Sequence, residues 1–451
     1  MKYKKIFQLA LIPFIIFILS ACNNTTKETE KTTNYQLPKV ALAYSEEEIV
    51  EFNNRINQGE NNTYEGLSPH NAPVLTAPEK LPSVLFYDSG IDIPYPEEGV
   101  KGIYLAPAVF NDPDRLNYLL DYIDNTALNA VVIDFKDDEG IIQTHLESDN
   151  SLVNQNSFDN IDFKKLLKEL EKRKIYPIAR IVTFKDRLVA EAKPEYSFKD
   201  AETGEIWQDA NGAKFINPFL PEIWDYNITI AIEAAKLGFK DIQFDYVRFP
   251  EGFQTFSDQL DYSIGNYQTY VTDDPEKFGQ ERVYAINDFL EEANDKLAPY
   301  GADVSADIFG YTAIAGDAPD VRGIGQNFGQ IAERVDTVSS MIYPSHWGLG
   351  FFGIPAPDLE PYNLVDQYMY SENMILKNIT NAANSRPWLQ DFTDWNLAPG
   401  TFQEYGPLQV QQQIVALEEN GIHEFLLWNP SGIFNEGVDY APESSGNEYY
   451  Y

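Results

Sequence analysis

Four aspartates stand at or near the ends of short apolar segments, where the fold could bring carboxyl groups together. Asp134, Asp245, Asp307 and Asp391 occur in the segments IDFKDDEG, QFDYVRFP, SADIFGYT and LQDFTDW. Cleavage of a glycosidic bond uses two such groups. A neutral carboxyl protonates the leaving oxygen, while an ionised one attacks the anomeric carbon or activates water. The four positions therefore indicate acid–base chemistry on a sugar.

Asp245 is the strongest candidate for the ionised carboxylate. It interrupts an apolar run, where an unpaired charge is costly, and we expect Arg248 to orient it and to lower its pKa. Asp307 lies within VSADIF, where partial desolvation would raise its pKa, so we expect it to be the proton donor. Asp134 and Asp391 are the reserve candidates. The alternative explanation for each is structural, as a helix N-cap or a loop ion pair.

Aromatic and amide side chains stand in two further segments, MIYPSHWG and LLWNPSG. Pyranose rings stack on Trp and Tyr through their apolar faces and hydrogen-bond through their hydroxyls. Trp224 and Trp388 are expected in the core, and a lone rim histidine is more often structural than catalytic. We predict that the side chains that bind substrate are Arg248, Tyr343, His346, Trp347, Trp428 and Asn429.

Short β-rich runs alternate with longer amphipathic ones from residue 101 onwards, which is typical of a parallel sheet with crossover helices. A (β/α)8 TIM barrel with enlarged βα loops is predicted. An open, doubly wound sheet is the alternative, but no Gly-rich phosphate turn follows the first run. The predicted strands are 102–107, 130–135, 176–183, 241–247, 303–309, 337–343, 387–392 and 423–428, and the predicted helices are 114–128, 163–173, 221–237, 281–297, 363–382 and 408–419.

The amino-terminal residues have the pattern of a bacterial lipoprotein signal. Three lysines precede an apolar run that ends in Leu19-Ser20-Ala21-Cys22, so we expect cleavage before Cys22 and lipidation of this cysteine. A plain secretory signal or an uncleaved anchor is the alternative. We predict a signal peptide over 1–21, a flexible tether over 22–34, a stalk over 35–97, the barrel over 98–435 and a loose tail over 436–451.

Composition excludes several classes of function. The 451 residues carry a formal charge of −37, which argues against a general grip on nucleic acid or a polybasic attachment to lipid. One cysteine and four histidines leave little material for a metal centre. Neither a P-loop nor a Gly-x-Ser-x-Gly or His-Glu-x-x-His motif is present. No metal or cofactor is expected, and the sequence predicts no oligomeric state.

Over about residues 98–435 the chain resembles a bacterial family, first described as a domain of unknown function, that is assigned to the (β/α)8 glycosidase superfamily. The resemblance implies a carbohydrate-cleaving barrel with Asp245 in the place of the nucleophile of related enzymes. Some relatives carry a glutamic acid where Asp307 stands, so the second carboxyl is left open. The matching segments are KGIYLAP, NAVVIDFKDDEG, GFKDIQFDYVRFP, VSADIFG, MIYPSHWG, RPWLQDFTDW and HEFLLWNPSG, of which QFDYVRFP is the most specific.

The sequence thus predicts a glycoside hydrolase, anchored outside the cytoplasm, that acts on a poly- or oligosaccharide. Two other readings stay open. A non-catalytic carbohydrate-binding lipoprotein would share the aromatics without needing two apposed acids. A metal-dependent hydrolase on the same barrel usually draws on several histidines, and these are dispersed as His70, His145, His346 and His423.

Overall fold

A computed structural model describes residues 87–442, whose centre is a closed barrel of parallel strands. The prediction of a (β/α)8 barrel with enlarged loops is confirmed, and each predicted strand run overlaps a barrel strand. In chain order the strands are β1 (Lys101–Leu105), β2 (Ala130–Lys136), β3 (Tyr176–Val182), β4 (Asp241–Asp245), β5 (Asp303–Phe309), β6 (Thr337–Met341), β7 (Trp388–Gln390) and β8 (Phe425–Trp428).

The barrel closes because each strand pairs with its neighbours in chain order and the ends of the sheet meet. β8 pairs with β1 through Lys101 and Phe425, and β7 pairs with β6 through Trp388 and Met341. The strands are nearly continuous apolar sequence, as expected for parallel strands covered on both faces. All residues of β1 to β4 are buried.

Strand register places two candidate acids side by side. Phe244 of β4 pairs with Ala306 of β5, so the next residue of each strand, Asp245 and Asp307, lies at the same level of the barrel. Because side chains alternate across a strand, both project to the same face of the sheet. The carboxyl ends of β4 and β5 thus bring the two leading candidates together.

The outer layer consists of helices that bury one face against the strands. In α2, Phe163, Leu166, Leu167 and Leu170 are buried at helical spacing, and the Asp162 side chain accepts a hydrogen bond from the third helical amide. The main helices are α1 (Pro113–Asp124), α2 (Phe163–Arg173), α3 (Pro221–Leu237), α4 (Gln280–Leu297), α5 (Phe328–Ala332), α6 (Pro361–Leu376) and α7 (Pro407–Glu419).

Enlarged loops at the carboxyl ends of the strands carry short helices of their own. A two-residue strand in the loop after β3, Lys199–Asp200, pairs antiparallel with Leu260–Asp261 in the loop after β4. The loops therefore form a structured rim over the barrel mouth. The short helices are Ser151–Asn156, Arg187–Ala192, Phe253–Phe256, Tyr311–Ala315 and Pro319–Ile324.

The predicted loose tail is partly wrong. Val438 and Tyr440 are buried, and the Tyr440 hydroxyl lies 2.8 Å from that of Tyr122 on α1. An apolar valine and an aromatic ring suffice to hold this segment on the barrel. Residues 443–451, the predicted signal peptide and tether with Cys22, and most of the predicted stalk lie outside the described residues. Between residues 87 and 442, no helix is both long and apolar enough to cross a membrane.

Candidate active site

Arg180 is the central cation of the barrel mouth. Its Nε and Nη2 donate to Asp245 Oδ2 at 2.9 and 2.6 Å, and its Nη1 donates to Asp134 Oδ1 at 2.7 Å. The Arg180 side chain is 3% exposed. Burial opposes its charge, but the neighbouring aspartates outweigh that effect and raise the pKa of Arg180. One permanent guanidinium therefore bridges two of the candidate carboxylates.

Asp245 is held by a strained backbone as well as by this cation. Its Oδ1 accepts the Tyr246 amide at 2.6 Å, and Tyr246 has a φ of +48°, which is rare for a residue other than glycine. Such strain concentrates at functional sites, where the surrounding structure fixes it. The Asp245 side chain is 10% exposed. This carboxylate is thus oriented by its own chain and open to the cleft.

Asp307 lies in the opposite electrostatic environment. It is buried, and its Oδ1 accepts a hydrogen bond from Trp388 Nε1 at 2.7 Å. Burial raises the pKa of Asp307, and the negative charge of Asp245 raises it further. Within residues 87–442, Oδ2 of Asp307 accepts no hydrogen bond from the protein. A raised pKa favours the protonated form of Asp307, and a general acid of a glycosidase must be in that form.

Tyr343 lies against both acids. Burial, then the charges of Asp307 and Asp245, raise the pKa of its phenol well above the usual value. The raised pKa favours the neutral phenol of Tyr343. A neutral hydroxyl at this place is able to donate a hydrogen bond to a carboxylate or to a sugar oxygen.

Both carboxylate oxygens of Asp134 already accept a hydrogen bond from the protein. Its Oδ2 accepts the Tyr104 hydroxyl at 2.7 Å, and its Oδ1 is taken by Arg180. Burial raises the pKa of Asp134, and Arg180 opposes this effect. Asp134 thus lies in the predicted place, but its contacts suit a residue that positions Arg180.

The wall of the cleft between β8 and β1 is aromatic. Trp428 stacks on Tyr104 with ring centroids 4.3 Å apart, and the Arg180 guanidinium lies 5.6 Å from the Trp428 ring. Trp388 meets Trp428 edge-on at 5.5 Å. Trp428 is only partly buried, so part of its ring surface is exposed.

A second group of candidate side chains comes from the loop after β6. The His346 ring is exposed and lies 5.3 Å from Tyr343, and its Nδ1 lies 2.9 Å from Ser345 Oγ. Trp347 is half-buried and packs on Tyr368 and on the backbone of Gly310, just after β5. Tyr343, His346 and Trp347 are thus gathered on one side of the carboxylates.

Arg248 does not hold Asp245, contrary to the prediction. Its Nη2 pairs with Glu251 at 3.1 Å, and its guanidinium lies over the rings of Tyr246 and Phe309 at 4.9 and 4.6 Å. The turn at Tyr246 redirects the chain, so sequence proximity does not become contact. Arg248 remains a residue of the rim.

Asp391, just after β7, and Asn429, just after β8, form hydrogen bonds with the loop after β8. Their contacts therefore do not support the predicted site roles. The Asp391 carboxylate accepts hydrogen bonds from the Asn435 backbone and side chain. Burial raises the pKa of Asp391 to about 7. Asn429 donates to the carbonyls of Asp391 and Ile433 and accepts from Ser431. Both side chains are consumed in fixing residues 429–435.

Sequence reasoning missed Arg180, Tyr104 and the hydrogen-bonding role of Trp388. Trp224 and Trp388 are in the core as predicted, but Trp388 also binds Asp307. The signal for Arg180 was available, because it interrupts the apolar run YPIARIV as Asp245 interrupts its own strand. The same argument about the cost of a buried charge applies to both residues.

Other polar features lie away from this cluster. In the part of the chain from 87 to 442, no three His, Cys, Asp or Glu side chains are arranged to hold a metal ion. His145 lies near Ser157, and His423 pairs with Glu418. A cavity of about 550 Å³, lined by Lys101 and Glu424 among others, lies where the strands begin. Barrel enzymes place their chemistry at the other end.

Fold and site together define a class: a (β/α)8 barrel of the glycosidase type, with acids gathered at the carboxyl ends of its strands. The chain belongs to the family described as "Putative glycosyl hydrolase domain", whose model matches residues 102–434. This match confirms the resemblance inferred from the motifs. No curated protein matches the chain significantly.

Three solved structures are similar to this chain, and the first of them supports the fold. The glycoside hydrolase domain of PgaB (BpsB) from Bordetella bronchiseptica is 15% identical over 75% of this chain and 95% of that one, with a TM-score of 0.54. A hypothetical protein from Ruminiclostridium thermocellum is 30% identical over 46% of this chain and 96% of its own, with a TM-score of 0.38. The catalytic domain of a beta-amylase from Paenibacillus polymyxa is 14% identical over 76% and 95%, with a TM-score of 0.46.

Proposed function

We propose that this protein hydrolyses glycosidic bonds of an extracellular or cell-wall polysaccharide, with Asp245 and Asp307 as the catalytic pair. The observation that carries the proposal is the contrast between these neighbours. Asp245 is bound by Arg180 and by a backbone amide, whereas Asp307 is buried, with its pKa raised by burial and by Asp245. Two carboxyl groups with opposed protonation are the requirement of the reaction.

In the proposed reaction, Asp307 gives its proton to the glycosidic oxygen as the bond to the anomeric carbon breaks. In a retaining reaction, Asp245 bonds to the anomeric carbon and water later displaces it. In an inverting reaction, Asp245 takes a proton from the water molecule that attacks the anomeric carbon. Arg180 holds Asp245 in place through two hydrogen bonds. Tyr343 donates a hydrogen bond beside both carboxyls, and Trp428 offers its ring face to the sugar.

The experiment is a screen of the purified soluble domain against cell-wall, plant and capsular polysaccharides, with release of reducing ends as the readout. We expect turnover on at least one polymer and a loss of about 10²–10⁴-fold in Asp307→Asn, which lacks the acid. Proton NMR of the first product anomer gives the stereochemistry. Retention implies carboxyl groups about 5–5.5 Å apart, and inversion about 6.5–9.5 Å.

The competing function is a non-catalytic protein that binds carbohydrate at the same cleft. It predicts polysaccharide binding without turnover, and equal binding by the wild type and Asp245→Asn. Binding without turnover in the screen would favour this alternative. Loss of activity on chelation would instead favour a metal-dependent hydrolase.

We further propose that the protein is attached to the outer face of the bacterial membrane through lipid on Cys22. The support is the sequence alone: a lysine-rich start, an apolar run and the lipobox Leu19-Ser20-Ala21-Cys22. Cys22→Ala is expected to move the protein from the membrane fraction to the soluble one. Unchanged membrane association of this variant would contradict the proposal.

A further inference from the structure

Trp395, on the loop after β7, is unusually exposed for its type. It is 65% exposed, more than the other exposed aromatic side chains of residues 87–442, such as Tyr270 at 52% and Tyr370 at 51%. Scattered exposed apolar residues are common on protein surfaces and need no explanation. The surroundings of Trp395 decide whether it has a function.

The loop that carries Trp395 is fixed at several points. The Tyr405 amide donates to Thr393 Oγ1 at 2.9 Å, and the Gln403 amide donates to the buried Asp358 at 3.0 Å. The Trp395 ring also meets Phe402 edge-on, with centroids 5.7 Å apart. A ring held in this way loses little conformational entropy when a ligand stacks on it.

A continuous row of side chains leads from the carboxylates to this loop. Tyr343 follows β6, the strand that pairs with β5 beside Asp307, and Phe392 lies 5.8 Å from Tyr343. The exposed His346 ring contacts both Tyr343 and Phe392, at 5.3 and 6.2 Å. Phe392 stands three residues before Trp395 on the same loop. The row therefore ends at Phe392, on the same loop as the exposed Trp395 ring.

We propose that Trp395 is a second sugar-binding position, where a pyranose ring of a long carbohydrate chain stacks while another part of that chain occupies the cleft at Asp245. The inference rests on the proposed function for the cleft, and it adds a second position at which the same polymer is bound. An exposed indole face suits the apolar face of a pyranose and, unlike a charged rim, discriminates little by net charge.

The role of Trp395 would be to bind rather than to react. Because stacking is equally available in the ground state and the transition state, its loss should raise KM for long chains and leave kcat nearly unchanged. Short substrates that fill only the cleft should be unaffected. We expect a three- to tenfold rise in KM, since a stacked aromatic pair contributes about 0.5–1.5 kcal/mol.

The test uses the protein without residues 1–22, as the wild type and as the single variants Trp395→Ala and Trp395→Phe. The control variant is Tyr370→Ala, which removes an exposed ring from α6. Each is run in native gels containing glycol chitin, carboxymethylcellulose, soluble starch or xylan. The wild type and Tyr370→Ala should be retarded in at least one gel, Trp395→Ala released, and Trp395→Phe intermediate. Equal retardation of wild type and Trp395→Ala, or no retardation in any gel, overturns the proposal.

Repeating the gels with Asp245→Asn separates this inference from the proposed function. Retardation that depends on Trp395 without hydrolysis by the wild type would support sugar binding at Trp395 and contradict the proposed hydrolysis. Hydrolysis of long chains with the same KM in wild type and Trp395→Ala would contradict sugar binding at Trp395 and leave the proposed hydrolysis supported.

Discussion

Arg180 organises the site by holding two acids on one guanidinium. Replacing it with methionine would leave Asp134 and Asp245 buried without a cation, a change that costs about 3–5 kcal/mol in comparable buried pairs. We predict a lower melting temperature for Arg180→Met, recovered in part at acidic pH, where the carboxylates become protonated. Thermal unfolding between pH 4 and 8 measures this effect.

Arg180→Lys separates position from charge, because lysine keeps the cation but cannot donate from two sides to separate carboxylates. The fold should survive, while kcat/KM falls and its pH profile shifts. A pH profile identical to that of the wild type would show that Arg180 has a structural role only.

The protonation of Asp307 predicts the alkaline limit of activity. A general acid must be protonated, so kcat/KM should fall as pH rises through the raised pKa of Asp307. The charge of Asp245 contributes to the raised pKa of Asp307. In Asp245→Asn, the residual activity should therefore begin to fall at a lower pH than in the wild type. An alkaline limb that persists unchanged in Asp307→Asn would assign it to another group.

The strands could be predicted from the sequence because a strand that is buried on both faces is a short apolar run, and such a run is recognisable without knowledge of its neighbours in space. Helix ends were less so: the predicted helices 114–128 and 363–382 end early, at Asp124 and Leu376. Contacts between strands were not readable. Arg180 meets Asp245 across 65 positions of sequence, whereas Arg248, three positions away, turns elsewhere. The prediction that Arg248 orients Asp245 was therefore wrong, because the backbone turns at Tyr246 between the two residues.

The approach of Trp347 to the end of β5 depends on Gly310. A Cβ at this position would lie 2.8 Å from the Met341 carbonyl oxygen and 3.2 Å from Trp347 Cζ2. Gly310→Ala should therefore displace the indole, cost about 1–3 kcal/mol and raise KM. Gly348→Ala is the matched control, because a Cβ there meets nothing within 4 Å. Equal tryptophan fluorescence and KM in the two variants would contradict this account of the loop.

At the scale of the whole molecule, a buried acid links folding to pH. Burial raises the pKa of Asp391 to about 7, so between its unfolded value and 7 the folded state binds more protons than the unfolded state. Stability therefore falls as pH rises through that window, by at most about 1.4 kcal/mol per pH unit for one group. The free energy of unfolding of Asp391→Asn should vary less between pH 4 and 7. A wild-type slope retained in this variant would contradict the assignment.

The barrel separates stability from chemistry along a single strand. Asp303 begins β5 and Asp307 lies near its end, and burial raises the pKa of both. Asp303 lies at the end of the barrel where parallel-barrel enzymes carry no chemistry. Asp303 therefore provides a control position for activity measurements on the acids at the other end of the barrel.

The release of reducing ends from the best polysaccharide substrate, compared among wild type, Asp245→Asn and Asp303→Asn, tests the central claim most directly. We predict turnover by the wild type, a loss of about 10³-fold or more in Asp245→Asn, and near wild-type rates in Asp303→Asn. Circular dichroism establishes that all three are folded. Equal turnover by folded Asp245→Asn and wild type would contradict the assignment of Asp245, and no turnover by the wild type on any polymer would contradict hydrolysis itself.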